Sequence, residues 1–221
     1  MTADIHKSDH RRELESYAAD GSHLKVDAVF WEKVAARDRT ALCNHTFFEP
    51  VAADVFQFRF LNENVRVDLS NHCLLRCREG RWQREDDPLL TLATLVYLNN
   101  VDGVYPLGRD IVGIADLKQG SFFTGPHELR TASLLKRFGD DPEGFRKSGK
   151  ALDGQLLEMA DAAVRLLPFP RLPLYYLLWT GDEEFQPRLK VLCDRTIERF
   201  LPADAIWALI NRVTRSLGAA T

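Results

Sequence analysis

The run from Pro168 to Phe185, PFPRLPLYYLLWTGDEEF, constrains the fold more than any other stretch of this chain. Leu174 to Trp179 is continuously apolar or aromatic, and Pro173 and Gly181 bound it. Such a run is too short for a helix of its own and predicts a buried strand. Asp182, Glu183 and Glu184 follow, pinned between Gly181 and Phe185. A buried strand that ends in a charged turn is a rigid support on which a site can be built.

The periodicity elsewhere predicts what surrounds that strand. Apolar residues at helical spacing (Val26, Val29, Phe30, Val34) predict a helix over Lys25–Arg37. Val55 to Leu61 alternates, with Phe56, Phe58 and Phe60 on one face. Asn62 to Asn64 reads as a turn, and Val65 to Leu69 alternates again, so the segment predicts a β-hairpin. A further strand pair is expected at His72–Cys77 and Arg81–Arg84, joined by Glu79-Gly80. Asp87 as N-cap and Pro88 at the first helical position open a helix to Asn99 with an apolar stripe of Leu89, Leu92, Ala93, Val96 and Tyr97. A loop over 100–109, a strand over Ile111–Leu117 and helices over Leu129–Phe138 and Pro142–Lys150 follow. Then come a strand over Ala162–Leu167, the buried strand, and a strand or helix start at Lys190–Cys193. A helix opens at Pro202 with a stripe of Ile206, Leu209, Ile210, Val213 and Leu217. At the other end, residues 1–8 read as a disordered tail and a short helix starts from Asp9. The sum is an α+β fold: one domain over 9–221, an antiparallel or mixed β-sheet covered by helices, with helices at both ends.

At 221 residues and 45% hydrophobic, the chain has enough apolar surface for a substantial core. A net charge of -3, with no long basic tract, gives no electrostatic footprint for nucleic acid or anionic membranes. No apolar stretch approaches the roughly 20 residues of a membrane helix, and the polar start has no secretory h-region. A cytoplasmic location is expected, with Cys43, Cys73, Cys77 and Cys193 as reduced thiols.

Three groups of residues carry chemistry. In the acidic turn, clustered carboxylates repel, which raises the pKa of one toward general acid–base work. The same oxygens suit a divalent metal, with Asp182, Glu183, Glu184 and a folded-back Asp194 as ligands. The competing reading is a structural turn in which Asp182 caps backbone amides and the glutamates are solvated or pair with Arg188 and Lys190. Cys43, His45, His72, Cys73 and Cys77 are the right types for zinc, but on a strand Cys73 and Cys77 stand roughly 13 Å apart. They read instead as small core residues. The Gly-bounded loop Gly120–His127 presents Phe122, Phe123 and His127, an aromatic pair with one imidazole. With Trp179 and Asp182 these make a candidate cofactor-binding set. No nucleophile elbow, P-loop or dinucleotide fingerprint occurs.

Pro170, Pro173 and Leu174, then Trp179, Gly181, Asp182, Glu183, Glu184 and Phe185, then Val191, Leu192 and Asp194, resemble the pattern of the family catalogued as domain of unknown function 3786. The helix ending in Tyr97-Leu98 and Asp161 before its strand also fit, and the resemblance spans roughly residues 24–217. It implies a setting in anaerobic bacteria and archaea. Some members carry a Cys-rich domain of iron–sulfur type, which this chain lacks, so that role does not transfer. The resemblance implies no reaction.

These readings give a first expectation of a non-catalytic accessory protein that binds a small molecule or cofactor, a tetrapyrrole or metal centre, in anaerobic metabolism. A redox or corrinoid protein would be its partner. The alternatives are an acid–base or metal-assisted enzyme using Asp182, Glu183, Glu184 and Asp194, and a protein-interaction module docking through a sheet edge.

Overall fold

A computed structural model describes residues 26–221; the tail and short helix expected over the first residues lie outside the described part. Two helices lead in. Asp27 caps α1 (Ala28–Ala35) through Val29 N, and Asp38 caps α2 (Arg39–Thr46) through Ala41 N. The chain then runs as a five-stranded antiparallel meander, β1 (Glu49–Ala52), β2 (Val55–Phe60), β3 (Glu63–Asp68), β4 (Cys73–Arg78) and β5 (Arg81–Glu85). The alternation predicted for β2 holds: Phe56, Phe58 and Phe60 are buried and Arg59 is exposed. In register, Phe58 faces Val65 and Val65 faces Arg76, so an arginine occupies the apolar face of the meander. Sequence periodicity missed α2 and the edge strand β1.

Asp87 opens α3 (Pro88–Asn100), which is buried nearly all round rather than along one stripe: Leu90, Thr94, Leu95 and Leu98 are also buried. Such a helix belongs inside the molecule. The second sheet is antiparallel with order β6-β10-β9-β8-β7. It comprises β6 (Ile111–Gly113), β7 (Gln155–Leu157), β8 (Ala162–Phe169), β9 (Leu172–Trp179) and β10 (Arg188–Asp194). The buried strand expected over Leu174–Trp179 is β9, at the centre. β6 is shorter than the expected Ile111–Leu117, because the chain turns in a 3-10 helix over Ile114–Asp116 and folds back on itself. A Cβ on Gly120 would lie 2.0 Å from the Ala115 carbonyl oxygen, so only glycine permits that return.

Between these strands lie α4 (Ala132–Phe138) and α5 (Pro142–Ala151), and the chain closes with α6 (Ile197–Phe200) and α7 (Ala203–Ala219). Helix α4 starts later than expected because Arg130 N is tied to Asn211 Oδ1 on α7 at 2.8 Å. One aromatic cluster joins every layer. Phe48 stacks on Phe58 with centroids 4.3 Å apart, Phe58 meets Phe169 at 5.4 Å, Tyr97 stacks on Phe169 at 5.0 Å and Phe200 meets Tyr97 edge-on at 5.7 Å. The meander, α3, the second sheet and α6 therefore share one core. No helix among the described residues is long and apolar enough to cross a membrane.

Candidate functional site

The acidic turn is built as a turn. Asp182 Oδ1 accepts from Glu184 N at 2.9 Å and Phe185 N at 2.7 Å, and Asp182 N donates to Phe185 O at 2.9 Å. Asp161 secures its entry by accepting from Thr180 N and Thr180 Oγ1 at 2.8 and 2.9 Å. Those bonds, the backbone one first, hold the Asp161 carboxyl below its ordinary pKa. A Cβ on Gly181 would come within 2.9 Å of Pro187 Cδ. Glu183 and Glu184 are exposed, and among the described residues neither pairs with Arg188 or Lys190. Arg188 instead lies over the Trp179 ring at 4.6 Å.

Asp194 does not join this cluster. It stands at the far end of β10 from the turn, beyond the Arg188–Trp179 pair by the full strand, about 20 Å at 3.3 Å per residue. There its Oδ1 accepts from Thr196 N and Oγ1 and its Oδ2 from Gly108 N, which fixes the loop before β6. The four-carboxylate metal set is thus not brought together, and no three His, Cys, Asp or Glu side chains among the described residues converge as a metal centre requires. Cys73 and Cys77 share strand β4, as their spacing implied.

The expected cofactor set is also divided. Phe122 stacks on His127 at 4.3 Å, and His127 meets Trp207 edge-on at 6.4 Å, leaving His127 Nε2 buried without a hydrogen-bond partner among the described residues. Phe123 alone of the five lines a groove of about 330 Å³, with Leu117, Phe200, Leu201 and Ile206. Trp179 and Asp182 lie elsewhere, Trp179 at the end of β9 and Asp182 on the β9–β10 connection.

A different site emerges where the meander meets the last helix. A cleft of about 650 Å³ is lined by Arg76, Arg78, Arg212 and Arg215 and by Glu63, Glu85 and Asp87. Arg76 comes from the core face of β4, and only 7% of its side chain is exposed. Its Nη1 lies 2.8 Å from Glu63 Oε2, and its Nη2 pairs with Glu85 Oε2, so two carboxylates more than balance its one charge. On α7, the Arg212 side chain is 8% exposed. Its Nε lies 3.0 Å from Asp87 Oδ2, without hydrogen-bond alignment, and its Nη1 donates to Ser216 Oγ. The guanidinium also sits 5.1 Å over the Phe60 ring. Arg215 Nη1 donates to the same Asp87 oxygen at 2.9 Å. Asp87 Oδ1 meanwhile caps α3 through Leu89 N at 2.9 Å.

Arg212 and Arg215 therefore share a single carboxylate that is already a helix cap. Burial, and then the nearby Arg76, pull the Arg212 pKa below its ordinary value against the opposing pull of Asp87 and Glu85. Arginine stays charged in proteins, so the depression marks first the cost of burying that charge and second its repulsion by Arg76. Four guanidinium and three carboxylate side chains line the cleft, and Thr221 lines it too.

Sequence reasoning missed this site, although a signal was present. Continuing the alternation of the meander puts Glu63, Arg76 and Glu85 on its inward face, and charges at inward positions are the exception in a sheet with one buried face. Arg212 follows Ala205 and Ala208 along one side of α7.

Residues 47–216 match the model of the family described as Domain of unknown function (DUF3786). No curated protein and no solved structure matches the chain.

Proposed function

This chain belongs to the family described as a domain of unknown function (DUF3786), and within it we propose that the protein is a non-catalytic binder of a small organic anion, held in the cleft between the meander and α7. The observation that carries this reading is that Arg212 and Arg215 share Asp87 as their one ion-pair partner among the described residues. Two guanidiniums on one carboxylate leave further N–H donors for a planar anion, which arginine recognises in bidentate geometry. An anion placed there offsets the repulsion among Arg76, Arg212 and Arg215. Arg76, by contrast, has two carboxylates of its own.

The test is a thermal and calorimetric titration with butyrate at constant ionic strength. A carboxylate at about 100 times its Kd stabilises the native state by about 2.7 kcal/mol. Arg215 is half exposed, so Arg215→Gln keeps the fold while weakening the response. An equal response in wild type and Arg215→Gln, or none in either, overturns the proposal.

A second reading rests on His127 Nε2, buried beside the Phe122 ring without a hydrogen-bond partner among the described residues. An imidazole nitrogen with no protein partner suits an axial ligand to a tetrapyrrole or metal centre, with a redox or corrinoid protein of anaerobic metabolism as recipient. Native mass spectrometry of protein purified without oxygen would then show added mass that His127→Ala loses. A clean apo mass removes this reading.

A further inference from the structure

Resting on the anion reading of the cleft, we infer that its ligand carries an anionic group at each end, one held by Arg212 and Arg215 and the other by Arg78. The cleft has two basic ends, and its middle holds one arginine between two carboxylates. At the α7 end, two arginines share one carboxylate. In the middle, Arg76 is matched by Glu63 and Glu85. At the far end, Arg78 lies two residues beyond Arg76 on the same face of β4 and lines the cleft.

Arg78 is paired across the hairpin with Arg81, a second arginine. Like charges directly opposite one another destabilise a hairpin. Neither residue has an ion pair among the described residues, while other arginines of the meander, Arg76 and Arg84, do. The tight turn Glu79-Gly80 between them, both at positive φ, fixes the two side chains at the hairpin tip rather than spreading them.

Arg78 stands about 13 Å along β4 from Leu74, whose cross-strand partner is Glu85, two residues before Asp87. Long arginine side chains at both ends shorten that span to the length of a small linear diacid. A mononegative ligand would satisfy the α7 end and leave Arg78 facing Arg81 unrelieved. Dicarboxylates and diphosphates share the required chemistry.

Isothermal titration of the full chain with adipate, pyrophosphate and butyrate tests this against the simpler cleft reading. A charge-assisted contact at the second end makes adipate or pyrophosphate bind about tenfold or more tighter than butyrate. Arg78→Gln then reduces the dianion to the butyrate level without changing butyrate itself, whereas Arg215→Gln weakens both. The better of the two dianions assigns the end groups as carboxylate or phosphate. Equal binding of butyrate and the dianions in wild type overturns the two-ended ligand while the anion cleft stands. Binding of none of them overturns both.

Discussion

Asp87 performs two tasks with one carboxylate: Oδ1 caps α3 and Oδ2 faces Arg212 and Arg215. The two are separable by substitution. Asparagine caps a helix about as well as aspartate but brings no charge, whereas alanine does neither and loses about 1 kcal/mol of cap. Leaving Arg212 buried without its counter-charge costs about 3–5 kcal/mol. Asp87→Asn is therefore expected to lose most of what Asp87→Ala loses in urea unfolding. An Asn variant as stable as wild type would mean that the pairing of Asp87 with Arg212 contributes nothing. Cys193 gives a pH signature at the same scale. Burial, and then Asp194 and Glu198, push its thiol from 9.0 up to about 12. The unfolded thiol ionises near 9 while the folded one keeps its proton, so its contribution is whole below pH 9 and is lost as pH rises toward 12. Cys193→Ala should flatten the alkaline fall in stability over that window; an unchanged pH–stability curve would contradict the shift. The candidate site was least legible at this scale. The charges of the acidic turn are contiguous in sequence and so conspicuous there, yet its geometry is that of a capped turn. Arg76, Asp87 and Arg212 are far apart in sequence, and only the register of the meander and the docking of α7 bring them together.

Elements were more legible, because hydrophobic period reports burial directly. β2, β3, β4, β5, α3 and β9 lie where alternation, capping and apolar run length put them. What period cannot report is a short element stabilised by its neighbours. β7 is three residues long and exists through its pairing with β8, and β6 exists through β10. α3 shows the converse: its sequence displayed one apolar stripe, and the flanking layers bury the other side too. The packing of α5 on β8 yields a prediction against helix propensity. Gly149 lies within α5, where alanine ordinarily gains about 1 kcal/mol over glycine. A Cβ at Gly149 would stand 2.7 Å from Val164 Cγ2, and Val164 is a fully buried, χ1-stiff side chain of β8. Gly149→Ala is expected to destabilise the protein by about 1–3 kcal/mol through overpacking. A rise in melting temperature would show that the helix moves freely off the sheet.

At the scale of the whole molecule, two separate five-stranded sheets invite the picture of two independent halves, since each is closed in its own hydrogen bonding. The packing argues otherwise. Phe58 of the meander, Tyr97 of α3 and Phe200 of α6 reach one another through Phe169 of β8 or directly, with no solvent layer between sheets. Leu61 N donates to Leu167 O across the seam, and Arg212 of the last helix lies over Phe60 of the meander. Neither sheet can open without exposing this shared cluster, so unfolding of one half removes the apolar cover of the other. Tryptophans report on both sides: Trp82 lies on β5 in the first sheet and Trp179 on β9 in the second. In urea, variants keeping only Trp82 or only Trp179 should unfold with coincident midpoints and equal m-values, the signature of one cooperative unit. Separate midpoints would mean that the aromatic cluster does not couple the sheets. In the coincident case, an anion bound in the cleft at the seam raises both midpoints together, because it binds only when meander and last helix are both in place.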